Sequence, residues 1–283
     1  MTVKKVTIRD FMSMKKNREK IVALSLYDYP TAYFADKAGV DMILVGDGSV
    51  GMTALGYNNT VPVTMDEMII FCKAVVRATE RALVMGDMPF MSYQNVDDAL
   101  KNAGRFMKES GVDAIKLEGG KEVCDRVRTI SEAGIPVCGH IGLTPQSASL
   151  SGGYKVQGKK AENALKILDD AIAMEKSGAF SLVIEFATTE IAQIVTDKLS
   201  IPVFGWGSGP YTDGIGLNIA DVLGMSLGLK PSFAKDYAGL SKSMLNALTN
   251  YGKDIREKQF PEDKHVIHMD KIEYEKLITI KGN

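Results

Sequence analysis

The sequence predicts an α/β fold, a single-domain (β/α)8 barrel spanning residues 1–283. Short apolar runs alternate with longer amphipathic stretches, the runs number eight, and no Pro/Gly/Ser tract or charge run divides the chain. A length of 283 residues suits one barrel of this kind or two average domains. A doubly wound open sheet shares the alternation, and strand count alone does not separate the two.

The runs are 21–26, 42–45, 82–85, 114–117, 135–138, 181–184, 201–204 and, weakest, 222–225. Helical patterns lie between them, for instance at 64–80 and 161–177, and a closing helix is expected within 236–258. The first of these opens with Thr64-Met65-Asp66-Glu67, a capping box in which each end can satisfy an orphan backbone N–H. Two connections are long for a barrel, 48–63 and 141–159, and both are rich in Gly, Ser, Thr and Asn. The second reads as a lid hinged at Gly152, Gly153 and Gly158, or as a surface insertion. The segment from about 261 is a charged C-terminal tail.

Composition narrows the class. Hydrophobic residues make up 45% and charged residues 24%, which is globular and excludes disordered or collagen-like chains. With 34 basic and 35 acidic side chains the net charge is -1, so nothing calls for nucleic acid as a partner. No apolar stretch approaches the roughly 18 residues of a membrane span. The N-terminus has basic residues without an apolar core, so no secretory signal is expected and the location is read as cytoplasmic. Three cysteines, Cys72, Cys124 and Cys138, lack C-x-x-C spacing and read as reduced thiols.

In a barrel, chemistry collects at the carboxyl ends of the strands. Residues ending the second to sixth runs are Asp47, Asp87, the Lys116/Glu118 pair, His140 and Glu185. A single acid there is commonly a turn former or helix cap; successive ionisable ends point to a site. Asp47, Asp87 and Glu118 come from neighbouring strands, and three converging carboxylates need a cation or a proton among them. An all-oxygen set suits a hard ion, Mg2+ before Mn2+. Independent caps or ion pairs are the alternative. Lys116 stands two residues before Glu118, hence on the same face of the strand, where it can bind an anionic substrate group, pair with one of the acids, or both. Glu185 is a candidate base beside the metal and His140 the competing one. His265 and His268 give only weak metal spacing.

Gly46-Asp47-Gly48-Ser49-Val50-Gly51 matches the dinucleotide pattern G-x-G-x-x-G after a strand. That pattern must open a helix, whereas 52–63 reads as loop and the helix starts at Thr64. Asp47 would also face the pyrophosphate with like charge. In Gly205-Trp206-Gly207-Ser208-Gly209-Pro210, proline falls at the third glycine's place, so a Rossmann reading fails.

The motifs together resemble a known family. Val45-Gly46-Asp47, Gly51-Met52-Thr53, Gly56-Tyr57 and Pro62-Val63-Thr64 are followed by Asp87-Met88-Pro89-Phe90, Lys116-Leu117-Glu118-Gly119-Gly120 and Pro136-Val137-Cys138-Gly139-His140. Gly142-Leu143-Thr144-Pro145-Gln146-Ser147 and Gly152-Gly153-Tyr154-Lys155-Val156-Gln157-Gly158 complete the series. From about Thr7 to His268 the chain resembles the ketopantoate hydroxymethyltransferase (3-methyl-2-oxobutanoate hydroxymethyltransferase) family. The resemblance implies a barrel of the phosphoenolpyruvate mutase/isocitrate lyase type and a cytoplasmic homo-oligomer, often a decamer. It implies Mg2+, and 5,10-methylenetetrahydrofolate as the one-carbon donor to 3-methyl-2-oxobutanoate in pantothenate biosynthesis. Position by position it implies Asp47, Asp87 and Glu118 as metal ligands and Glu185 as the catalytic proton acceptor. Asp47, Ser49, Asp87, Lys116 and His140 are expected to contact substrate.

Two departures stand out. Where the family usually reads Gly-Asp-Ser, Gly48 is inserted here and the serine is displaced to Ser49. Gly205-Trp206-Gly207-Ser208-Gly209 replaces the usual Gly-Ile-Gly-Ala-Gly, placing an indole at the end of the seventh strand. The alternatives are a carbon–carbon lyase or phosphonate mutase on the same barrel, or a non-catalytic homologue. The lyase type usually carries lysines before its reactive cysteine, which Cys138-Gly139-His140 lacks.

Overall fold

Seven of the eight apolar runs become strands of a closed parallel barrel. In the computed structural model, which describes residues 3–149, 152–227 and 231–282, the strands are β1 Ile21–Ser25, β2 Met42–Val45, β3 Leu83–Asp87, β4 Ala114–Glu118, β5 Val137–Gly142, β6 Ser181–Glu185, β7 Val203–Trp206 and β8 Gly214–Asn218. They pair in chain order, and β8 closes onto β1. The helices are α1 Ile8–Asn17, α2 Tyr29–Lys37, α3 Met65–Ala78, α4 Val96–Arg105, α5 Cys124–Glu132, α6 Ala161–Lys176, α7 Thr189–Lys198, α8 Ile219–Leu223, α9 Leu240–Arg256 and α10 Lys271–Lys281. The capping box at α3 forms: Thr64 Oγ1 accepts from the Glu67 amide, and Glu67 Oε2 accepts from the Thr64 amide at 2.7 Å.

The strands are buried on both faces, as parallel strands under helices are, except at Val22 of β1 and Ile215 of β8, which are exposed. Ile43, Val45, Val84, Ile115, Leu117 and Leu182 face the helices in one cluster, while Ile21, Ala23, Met42, Leu44, Met85, Val183, Phe204 and Trp206 fill the barrel interior in another. Phe11 of α1 belongs to the interior cluster, with its ring edge-on to Phe204 at 5.7 Å.

The eighth strand is not where the apolar pattern put it. Residues 222–225 are not a strand: Val222 and Leu223 lie in α8, and β8 is the glycine-rich Gly214-Ile215-Gly216-Leu217-Asn218. The reason is volume. Gly214 faces the Phe204 ring, and a Cβ at Gly216 would sit inside the Trp206 indole. Two aromatic side chains of β7 occupy the interior that β8 would otherwise fill, so β8 carries no inward apolar side chain to betray it. Gly216→Ala is therefore expected to destabilise the fold by about 1–3 kcal/mol through overpacking. An unchanged urea midpoint would contradict this packing.

The connection 48–63 is not wholly a loop: Ser49–Ala54 forms a six-residue π-helical turn. In 141–159, residues 150 and 151 lie outside the described set. Pro145–Ser147 is a 3-10 turn, and Gln157 bridges Ala187 beyond β6, its amide donating to the Phe186 carbonyl at 2.8 Å.

Where one domain with a tail from about 261 was expected, the chain divides into compact units of residues 1–237 and 238–283. The second holds α9, a 3-10 turn at Asp263–His265, and α10, so the tail is largely helical. Among the described residues no helix is long and apolar enough to cross a membrane.

Candidate active site

Parallel register sets neighbouring strand ends side by side. Val45 pairs with Gly86, Asp87 with Lys116, Glu118 with His140, Gly142 with Glu185, and Glu185 with Trp206. The residues expected at the site from β2 through β6 thereby share one rim, the carboxyl end of the barrel. Asp47, Asp87, Lys116, Glu118 and His140 are all buried. The Glu185 side chain is 24% exposed, which leaves it open to an entering molecule.

A chain of polar contacts joins them. Lys116 Nζ lies 2.8 Å from Asp87 Oδ1, an ion-pair distance without hydrogen-bond alignment, and 3.2 Å from His140 Nδ1. His140 Nδ1 is 3.4 Å from Glu118 Oε1, and His140 Nε2 is 3.2 Å from Glu185 Oε2, again off-line. The Asp47 amide donates to Asp87 Oδ2 at 3.3 Å. Lys116 pairs with an acid and also stands in the mouth, so both readings of that residue are structurally open.

Burial pushes the Asp47 carboxyl well above its usual range, and the Asp87 and Glu118 charges push the same way. Burial likewise raises Asp87, against the pull of Lys116. Burial disfavours the Lys116 ammonium, but Asp87, Glu118 and Asp47 outweigh it and hold its pKa above the ordinary lysine range. For His140, burial and Lys116 push down, while Glu118 and Glu185 push up and prevail.

The donor set is oxygen-rich and carries more negative charge than Lys116 neutralises, which is the chemistry a hard divalent cation fits. Gly46 keeps the floor open: a Cβ there would lie 2.8 Å from Ser25 Oγ and 3.8 Å from Asp87 Oδ2. Among the described residues no group of three or more His, Cys, Asp or Glu side chains is spaced to hold one metal ion.

Ser49 is buried, with its hydroxyl 2.8 Å from Ser25 Oγ and 3.4 Å from Asn218 Oδ1. The structure also brings in residues not expected at the site. Gln146 donates through Nε2 to Asp47 Oδ2 at 2.8 Å and to the Met88 carbonyl at 2.9 Å, and its amide donates to Glu118 Oε2 at 3.1 Å. Tyr93 donates to Gln146 Oε1 and accepts from the Glu118 amide at 3.4 Å. Gln146 sits inside the Gly142–Ser147 motif, which was the available signal; Tyr93 carried none. Tyr93, Glu118 and Gln146 line a cavity of about 220 Å³. His265 and His268, in the second unit, are exposed. Cys138 is buried inside the barrel, where desolvation pushes its thiol up to about 11.

Comparison with known proteins agrees. A family model described as ketopantoate hydroxymethyltransferase matches residues 5–263. The 3-methyl-2-oxobutanoate hydroxymethyltransferase of Carboxydothermus hydrogenoformans is 50% identical over 266 residues, covering 94% of this chain and 96% of its own. That of Alkaliphilus metalliredigens is 48% identical over 277 residues, covering 97% and 98%. Among solved structures, a phosphonopyruvate hydrolase complex with oxalate and Mg++ superposes with TM-score 0.61 at 10% identity, covering 98% of each chain. A 2,3-dimethylmalate lyase of the PEP mutase/isocitrate lyase superfamily gives 0.58 at 15% identity, covering 97% and 98%. The latter two share the fold, a closed (β/α)8 barrel. The 2 sequence relatives and the family model extend the likeness over nearly the whole chain, and the chain belongs to the ketopantoate hydroxymethyltransferase family.

Proposed function

We propose that the protein transfers a one-carbon unit from 5,10-methylenetetrahydrofolate to 3-methyl-2-oxobutanoate, giving 2-dehydropantoate in pantothenate biosynthesis. The observation that carries the chemistry is the rim contact in which a partly open carboxylate, Glu185, stands 3.2 Å from buried His140 beside the Lys116–Asp87 pair. Glu185 accepts the C3 proton of the α-keto acid. His140 orients Glu185 on one side and Glu118 on the other. Lys116 places positive charge where the enolate oxygen develops. Asp47, Asp87 and Glu118 would hold Mg2+, which supplies Lewis-acid polarisation of the keto group when bound. Carbon–carbon bond formation joins C3 to the donor's methylene carbon, water supplies the new hydroxyl, and tetrahydrofolate leaves.

The buried, high-pKa Cys138 does not favour a lyase reading, because the nucleophile of a reactive cysteine is its thiolate. We place the enzyme in the cytoplasm as a homo-oligomer acting on small molecules and on neither nucleic acid nor membrane. The test is incubation with both substrates and Mg2+. Formation of 2-dehydropantoate, dependent on both substrates, is expected; consumption of the acid by cleavage without the folate donor would replace this reading with the lyase.

A further inference from the structure

Resting on the hydroxymethyl-transfer reading for the identity of the acid, we infer that Asn218 is a substrate-binding residue whose side-chain amide donates to the carboxylate of the α-keto acid, with Ser49 as its positioning residue.

Asn218 is the last residue of β8, the strand end at which barrels place functional groups. Gly214 and Gly216 face the interior rings of Phe204 and Trp206, and the period of two puts Asn218 on that same inward face, one step nearer the mouth. It is half-buried, so its amide is reachable.

The hydrogen bonding fixes which end of the amide is offered. Ser49 Oγ donates to Asn218 Oδ1 at 3.4 Å, and with that hydrogen spent Ser25 Oγ is left as the donor in its 2.8 Å contact with Ser49 Oγ. With Oδ1 engaged, the Nδ2 group points away from the hydroxyl pair, and no acceptor among the described residues takes its hydrogens. An anion entering the rim meets Asp47, Asp87, Glu118 and Glu185 on β2 through β6, with Lys116 the cation among them. The β8/β1 sector offers Ser25 and Asn218, with Ser49 of the turn after β2 beside them, groups without negative charge, and of their hydrogens only those of the Asn218 amide are unspent. A hydrogen bond from a neutral donor to a carboxylate is of the stronger, charge-assisted kind.

The inserted Gly48 explains why the serine is there. An extra residue in a helical turn is absorbed as a π-turn, and the turn after Asp47 is of that type, with the Leu55 amide bonded to the Val50 carbonyl at 3.0 Å. Each residue advances a helix by about 100°, so one insertion swings the serine hydroxyl around the axis. Here it reaches Ser25 and Asn218. A Cβ at Gly48 would meet only the Thr60 methyl, at 3.9 Å, so crowding does not force glycine at that position.

The experiment measures the Kd of 3-methyl-2-oxobutanoate by calorimetry, and KM and kcat for exchange of its C3 proton, on Asn218→Asp, Asn218→Ala and Ser49→Ala. Asn218→Asp sets a carboxylate against the substrate's own and should raise Kd and KM by about tenfold or more. Asn218→Ala should follow it, and Ser49→Ala should raise KM by about threefold. In all three, KM should move further than kcat. Wild-type Kd in Asn218→Asp, or in Asn218→Ala should the first variant misfold, overturns the assignment. Wild-type binding without C3 exchange sinks the transfer reading alone, because Kd still reports on Asn218. A wild-type protein that binds no α-keto acid overturns both.

Discussion

Glu185→Gln should lower exchange of the C3 proton of 3-methyl-2-oxobutanoate by about a thousandfold, within the range a positioned general base contributes. The substitution keeps shape and removes only the ability to take a proton. Glu185 is the rim carboxylate with the most open side chain among those compared, 24% exposed against 3% for Asp87 and 4% for Glu118. His140, the competing base, is fully enclosed, and both its ring nitrogens are engaged, Nδ1 beside Lys116 Nζ and Glu118 and Nε2 beside Glu185. Binding of the acid and of Mg2+ should survive in the variant. Exchange within tenfold of wild type would transfer the role to His140 or to a water it holds.

Asp87→Asn should have the second large effect, on two measurements. Metal affinity should fall by more than the roughly 10–100-fold typical of losing an outer-shell partner, because Asp87 belongs to the oxygen set itself. Stability should fall too. The Lys116–Asp87 pair is 3% exposed on both sides, so the substitution leaves a buried ammonium without its nearest counter-charge. Breaking such a pair costs about 3–5 kcal/mol. Asp47 and Glu118 still face Lys116, which places the expected loss at the lower end of that range. An unchanged metal titration would remove Asp87 from the ligand set. An unchanged denaturation midpoint would mean that the remaining acids satisfy Lys116 without it.

Much of this architecture is legible in the sequence because parallel barrel strands are short, apolar and buried on both faces. The same property points to the rim: a strand that ends in Asp87 or Glu185 has delivered a charge to the one place where the barrel tolerates it. Lys116 and Glu118 follow from strand parity, and α3 follows from its Thr64–Glu67 box. Where interior volume is set by a neighbouring strand, the reading breaks. β8 is invisible because Trp206 and Phe204 occupy its share of the core, and its glycines carry no hydrophobic period. With β8 misplaced at 222–225, Asn218 could not be seen as a strand end. The π-turn at Ser49–Ala54 has no local signature beyond an inserted glycine, and Gln146 acts through a backbone amide and a side chain that only the folded turn brings to Asp47 and Glu118.

Proton exchange tests the central claim most directly. With wild-type protein, Mg2+ and deuterated water, and with no folate donor, the C3 proton signal of 3-methyl-2-oxobutanoate should disappear enzymatically and persist when the metal is chelated. Retention of that signal with saturating acid and metal, in a protein shown to bind both, would contradict enolate formation at this rim.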